Sequence, residues 1–331
     1  MIETTLQFAG LSVVVLLCGV ALARSSDRLG ERFGWGGSVA GFLLLAGATS
    51  LPELILSTQA ARIGEAGMAV GDMLGSCLFN LMILGTLDLL LRSGERMLSV
   101  KSAAHGLSAM VGVFLAAAVG VGVLIEGGVP LPAWWPATIG PTTPLLLLAY
   151  AVGLRIVMLD MAISSPPLAE RGVEPGETWK AALFYIGAAT VLVLVGPATA
   201  EVAVRFAELS GLGGTFVGTT FVAAATSLPE VVTTAAAVRM GAPGMAVGNV
   251  LGSNAFNLVI LAAVDLLSPG RLLADCGVVH AVTAFWVILV TAAAAVGLLY
   301  RAERTVGRIE PDAAAVVLLA GAGFGVVYLQ S

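Results

Sequence analysis

Apolar runs of about 20 residues, each long enough to cross a bilayer as a helix, follow one another along almost the whole chain. Ten spans are predicted: Leu6–Ala23, Ser38–Ala61, Met68–Leu90, Ala103–Ile125, Thr143–Ile163, Trp179–Ala207, Thr215–Val238, Met245–Leu267, Val278–Tyr300 and Ala313–Leu329. The longest polar break, Ser164–Thr178, is rich in proline, glycine and charge. It is the natural joint between two halves of five spans, residues 1–163 and 179–331, with 164–178 as a linker. A second break, Gly127–Pro144, carries Trp134 and Trp135, which suit a membrane–water interface. The pattern predicts an all-α polytopic membrane protein.

The polar positions that interrupt these runs occur twice. Ala46–Leu84 and Ala223–Leu261 align without a gap at an offset of about 177 residues, with about 23 of 39 positions identical. Thr49, Ser50, Leu51, Pro52 and Glu53 recur as Thr226, Ser227, Leu228, Pro229 and Glu230. Gly71, Gly75, Ser76, Phe79 and Asn80 recur as Gly248, Gly252, Ser253, Phe256 and Asn257. The same offset matches Gly10, Gly19 and Gly41 to Gly187, Gly196 and Gly218, and Asp88 to Asp265. A repeat with an odd number of spans places its second copy upside down. Inverted repeats around a midplane site are the architecture of secondary transporters.

Glu53 and Glu230 sit mid-span, where a charge is costly unless it faces a partner or a wet cavity. Each follows a proline, which cannot donate to the carbonyl four residues back, so the helix must loosen beside the carboxylate. Carbonyls freed in lipid need a partner, and a cation is one. Thr49, Ser50, Glu53 and Ser57 are spaced to share a helical face. Asp72, Ser76 and Asn80 form a stripe on the third span, and Asn249, Ser253 and Asn257 form the matching stripe on the eighth. All of these groups offer oxygen, which suits a hard cation such as Ca²⁺ taking six to eight oxygen ligands. Gly71, Gly75, Gly248 and Gly252 let helix backbones approach closely there.

Composition narrows the classes. The chain of 331 residues is 58% hydrophobic and 11% charged, which leaves no room for a sizeable soluble domain. A net charge of −5 without a basic cluster argues against nucleic acid. Cys18, Cys77 and Cys276 have no metal-like spacing and read as small apolar packers. The first apolar run lacks a basic segment before it and reads as a retained span. Arg24, Arg28, Arg32, Arg92, Arg96, Lys101, Arg239, Arg301, Arg304 and Arg308 fall in loops on one side, with only Arg62, Arg205 and Arg271 opposite. That bias places the linker in the cytoplasm and both termini outside an inner membrane. His105 and His280 open spans four and nine, and Asp88 and Asp265 close spans three and eight; all four read as structural helix-end groups.

In these motifs, TSLPE and GS-x-x-F-N in duplicate, the chain resembles the cation/Ca²⁺ exchanger superfamily on its sodium/calcium exchanger branch, over its whole length. The resemblance implies that spans two, three, seven and eight form the ion-binding core, and that spans one and six slide across it. It implies no enzyme activity and no cofactor, only transported Ca²⁺ and Na⁺ in a chain that works as a monomer. Glu53, Glu230, Thr49 and Thr226 would hold Ca²⁺, the threonines through backbone carbonyls. Ser50, Ser76, Ser227 and Ser253 would complete flanking Na⁺ sites with the carbonyls of Ala46 and Ala223, and Asn80 and Asn257 would face the centre. Three departures stand out. Both central amide positions hold Asn, where many relatives have one Asp, so K⁺ dependence is not expected. Asp72 replaces the usual Asn at the start of span three, and Cys77 that of G-S-N; both usual residues survive as Asn249 and Asn254. Asp72 is expected near the external mouth, raising cation occupancy or adding a titratable group. The alternatives are a proton-coupled exchanger and, further off, a cation channel, which usually assembles several subunits around an axis.

Overall fold

A computed structural model of the chain describes residues 2–90, 97–98, 103–128, 130–164, 175–209, 226–300 and 311–330. Every regular element among these residues is helical. The elements are α1 (Ile2–Phe33), α2 (Gly37–Val39), a π-helical turn (Ala40–Leu45), α3 (Ala46–Thr49), α4 (Leu51–Arg62), α5 (Ala66–Leu90), α6 (Ala103–Ile125) and α7 (Thr142–Ser164). They continue with α8 (Pro175–Leu209), α9 (Leu228–Arg239), α10 (Pro243–Leu267), α11 (Leu272–Asp275), α12 (Val279–Tyr300) and α13 (Pro311–Gln330). Among the described residues, eight helices are long and apolar enough to cross a membrane, or nine when the bent pair Gly37–Thr49 and Leu51–Arg62 counts as one span. Of the predicted seventh span, Thr215–Val238, only the part from Thr226 onward lies among the described residues. The described residues are thus consistent with ten spans.

Burial separates a core from a periphery. The apolar stretch of α10 is 72% buried within the protein and that of α5 61%, against 22% for α1, α8 and α13. Helices α4, α5, α9 and α10, which carry the duplicated motifs, pack together, with the π-helical turn laid along α10. Helices α1 and α8 pack on each other, α1 crossing α9 and α8 crossing α4. At 32 residues α1 runs well past Ala23, because Ser25 and Ser26 are buried and let the helix continue through its polar end. It is about 48 Å long, more than the hydrocarbon thickness of about 30 Å, so it tilts or projects into the headgroups.

The two copies of the motif fold alike down to their turns. α4 and α9 each end in a glycine of left-handed backbone, Gly64 at φ 86° and Gly241 at φ 72°. Behind each, the next residue's N–H reaches back to a helix carbonyl, Glu65 to Ala60 at 2.9 Å and Ala242 to Ala237 at 3.0 Å. Of the small residues expected to bring backbones together, Gly248 and Gly252 do so, against Ser38 and the π-helical turn, whereas a Cβ at Gly71 would meet only the His280 ring and one at Gly75 would meet nothing within 4 Å. A Cβ at Gly252 would lie 2.7 Å from the Phe42 Cα, and one at Gly248 would collide with the Ser38 carbonyl oxygen.

Asp88 and Asp265 hold connections, in keeping with their helix-end positions. Asp88 Oδ1 accepts from the backbone N–H groups of Met97 and Leu98. Asp265 accepts from the N–H of Gly140 at 2.8 Å, the N–H of Leu272 at 2.7 Å and the Thr143 hydroxyl. It therefore ties the loop before α7 to the loop after α10. Each buried donor left without its acceptor costs about 1–3 kcal/mol. Asp265→Ala is accordingly expected to lower the thermal midpoint of detergent-purified protein clearly; an unchanged melt would show that the loops hold without it.

Candidate cation-binding site

The site is built where two helices are broken. Ser50 has φ −87° and ψ 3°, and Ser227 φ −84° and ψ 10°, so each leaves the helix for one residue just ahead of its proline. In the first half the axis turns by 42° at this point. The single continuous face expected for Thr49, Ser50, Glu53 and Ser57 is therefore split: Thr49 closes α3, Ser50 is the break, and Glu53 lies in the first turn of α4. Glu230 lies likewise in the first turn of α9. Unpaired N–H groups at a helix start favour negative charge, so both carboxylates sit at the electropositive ends of their helices.

Glu53 is 0% exposed and Glu230 1%. All four of their carboxyl oxygens are buried with no hydrogen-bond partner among the described residues. The two carboxyls lie within each other's field, and that of Asp72 reaches both. Thr49 and Ser50 lie within reach of Glu230 without a formed hydrogen bond to it, so the broken turn of one half faces the acid of the other. The serines cross in the same way: Thr49 Oγ1 is 3.4 Å from Ser253 Oγ, and Ser227 Oγ donates to Ser76 Oγ at 3.4 Å. Thr226 is buried beside Ser227.

Beyond the serines lies a layer of amides. Asn80 Nδ2 donates to Asn254 Oδ1 at 3.1 Å, and Asn254 Nδ2 donates to the Cys77 carbonyl at 3.1 Å. Asn80 Oδ1 and both polar atoms of Asn257 are buried without a partner among the described residues. Asn254, the G-S-N asparagine whose offset partner is Cys77, joins this layer although it is not among the residues expected to hold ions. Asp72 is partly exposed and accepts from the Ser57 hydroxyl at 3.2 Å. Its repeat mate Asn249 is fully buried and donates to Thr233 and Thr234 at 3.0 and 2.9 Å. The Ala46 carbonyl accepts the Ser50 N–H at 3.1 Å and the Thr49 hydroxyl at 3.4 Å. Ala223 lies outside the described residues.

His105 and His280 sit in matched places, and His280 also packs against Gly71, next to Asp72. Each packs beside the first glycine of the other half's core helix, His280 against Gly67 and His105 against Gly244. His105 also pairs with the Ser38 hydroxyl at 3.1 Å. Among the described residues no three His, Cys, Asp or Glu side chains converge as a ready metal cluster. Two carboxylates in a ring of neutral oxygens suit a hard cation.

The sequence profile of the sodium/calcium exchanger protein family matches residues 4–158 and 179–328. The chain belongs to the sodium/calcium exchanger family. Among its relatives it is 28% identical over 284 residues to the inner membrane protein YrbG of Escherichia coli (strain K12), covering 82% of each chain. It is 27% identical over 282 residues to the putative antiporter CaxA of Alkalimonas amylolytica, covering 78% of this chain and 81% of that one. A 61-residue stretch is 49% identical to the sodium/calcium exchanger MaX1 of Methanosarcina acetivorans, covering 18% of this chain and 17% of that one. The fold matches that of the sodium-calcium exchanger NCX_Mj soaked with 10 mM Na⁺ and zero Ca²⁺. The TM-score is 0.70 over 98% of this chain and 99% of that one, at 20% identity. This exchanger-family chain is thus a multi-span membrane protein with its family's helical architecture.

Proposed function

We propose that the chain is a secondary antiporter that moves Ca²⁺ across the membrane in exchange for Na⁺ by alternating access. The observation that carries this reading is the pair of buried carboxylates, Glu53 and Glu230, with all four oxygens unpartnered among the described residues at the starts of two broken helices. One Ca²⁺ neutralises them, with the Thr49 and Thr226 carbonyls and the Asn80 and Asn257 amides completing its shell. Two flanking Na⁺ positions use Ser50, Ser227, Ser76 and Ser253 with the carbonyls of Ala46 and Ala223. An empty dianionic site is costly to occlude, whereas a neutralised one is not, so the protein changes face only when loaded.

Helices α1 and α8 are the moving pair. Gly196 on α8 packs against Pro52, and a Cβ there would lie 2.7 Å from the Pro52 Cγ. Its repeat mate Gly19 on α1 packs not against Pro229 but against Val232, about one helical turn further along, at 2.6 Å from Cγ1. Matching helices in different registers against matching partners support such a sliding motion. We assign residues 1–163 and 179–331 as the inverted halves, with the 164–178 linker cytoplasmic and both termini outside.

The test is ⁴⁵Ca uptake into liposomes carrying purified protein, against an outward Na⁺ gradient, then a pH gradient, then neither. Uptake is expected with the Na⁺ gradient alone. Uptake driven by the pH gradient and indifferent to Na⁺ would overturn Na⁺ coupling, and no uptake under any gradient would overturn the antiporter reading.

Proton coupling is the second reading, because Asp72 puts a third carboxylate within the field of the central pair. Under the Na⁺ reading Asp72 only concentrates cations at the outer mouth. Asp72→Asn is then expected to raise the external Ca²⁺ concentration for half-maximal uptake about 5-fold, roughly 1 kcal/mol, without changing the driving ion. An unchanged half-saturation would remove Asp72 from the permeation path.

A further inference from the structure

The amide layer is nearly two-fold symmetric, and it fails at one atom. By the repeat offset, Cys77 is the mate of Asn254 and Asn80 the mate of Asn257. The two inner members meet across the junction of the halves: Asn254 Nδ2 donates to the Cys77 carbonyl at 3.1 Å, and the Cys77 thiol reaches the Asn254 carbonyl at 3.7 Å. The side chain at 77 thus points where its mate points. Asn254 also offers Oδ1 to the Asn80 amide at 3.1 Å. That bond fixes which way Asn80 is turned, with its nitrogen held and its own Oδ1 left buried and unpartnered among the described residues. The mirror contact, from Asn257 Nδ2 to a side-chain oxygen at position 77, cannot form, because a thiol carries no such oxygen. Asn257 is accordingly 0% exposed with both Nδ2 and Oδ1 unpartnered among the described residues.

We infer that Cys77 is a specificity-determining position that leaves the two central amides inequivalent: Asn80 locked with its oxygen free for the ion, Asn257 free to turn. An unlocked carboxamide faces a cation with either its oxygen or its NH₂. It must be ordered oxygen-first when Ca²⁺ arrives, and that ordering weakens binding. In the empty site the same amide can turn its NH₂ toward the carboxylates and lessen their repulsion. The cysteine therefore weakens Ca²⁺ occupancy in favour of faster release. This inference rests on the Ca²⁺ reading of the site.

The test is equilibrium ⁴⁵Ca binding to purified, monodisperse protein, with Na⁺-driven uptake measured alongside. Cys77→Asn supplies the missing acceptor and is expected to tighten Ca²⁺ binding about 3- to 10-fold while slowing turnover. The gain should vanish in a Cys77→Asn/Asn257→Ala double variant compared with Asn257→Ala alone, which a mere packing effect would not produce. Cys77→Ser keeps the shape at a slightly smaller volume and adds a shorter-reaching acceptor, so it should shift affinity in the same direction by less; it stands as the test if Cys77→Asn does not fold. Wild-type affinity in both variants, or a gain that persists without Asn257, overturns the inference. A wild-type protein that neither binds Ca²⁺ nor exchanges it would instead overturn the functional reading beneath it.

Discussion

Replacing either Glu53 or Glu230 with glutamine is expected to abolish Ca²⁺ transport and leave a folded membrane protein. The substitution keeps shape and removes one charge from a site whose centre has only two. Removing one partner of a desolvated charge pair costs about 2–5 kcal/mol, so Ca²⁺ affinity should fall between about 30-fold and a few thousand-fold. Folding should not suffer. The carboxyl oxygens hold nothing among the described residues, and the two acids repel each other when no cation is present. The ion-free protein should therefore melt at or above the wild-type temperature. What disappears is the Ca²⁺-dependent rise in melting temperature, because a ligand stabilises a protein only in proportion to its occupancy. Thermal melts with and without Ca²⁺, read beside flux, separate a lost site from a lost fold. Near-normal flux in both variants would contradict the assignment.

The second large effect is structural and falls on glycines. α10 lies against the π-helical turn backbone to backbone. A Cβ at Gly248 would meet the Ser38 carbonyl oxygen and, at 3.1 Å, the Phe42 nitrogen. One at Gly41 would lie 2.9 Å from the Asn249 nitrogen and collide with the Met245 carbonyl oxygen. No rotamer relieves a clash with a main chain, so the helices must separate. Overpacking of this kind costs about 1–3 kcal/mol per site, and here it also displaces the turn that leads to Thr49 and Ser50. Gly248→Ala and Gly41→Ala are each expected to lower the melting temperature and the Ca²⁺ affinity together. Gly321 is exposed, and a methyl added there would meet nothing within 4 Å, so Gly321→Ala should stay within about 0.5 kcal/mol. A melt at the wild-type temperature for both core variants would mean that these backbones do not pack as described.

Much of this is legible in the chain because membrane insertion writes a coarse code. Twenty apolar residues make a span almost regardless of detail, and the duplicated TSLPE stretch announces both the repeat and the acids. The break beside each acid follows from proline chemistry, and Ser50 and Ser227 show it at matching backbone angles. Other features leave weaker traces. The π-helical turn at Ala40–Leu45 depends on how α10 presses against it, which no local propensity records. The apolar pattern stops α1 short, because Ser25 and Ser26 look like a terminus until tertiary packing buries them. The Asn80–Asn254 bond joins positions 174 residues apart and can be found only by superimposing the two copies. Cys77, a packer by composition, becomes informative once its thiol is seen at the contact where Asn254 answers it.

The most direct test of the central claim is a crystal structure of the protein soaked in Sr²⁺, a heavier analogue of Ca²⁺, read from its anomalous difference density. One dominant peak is expected between Glu53 and Glu230, within coordination distance of oxygens from both. A peak bound by one of them alone, or a site elsewhere with the two side chains turned apart, would contradict it.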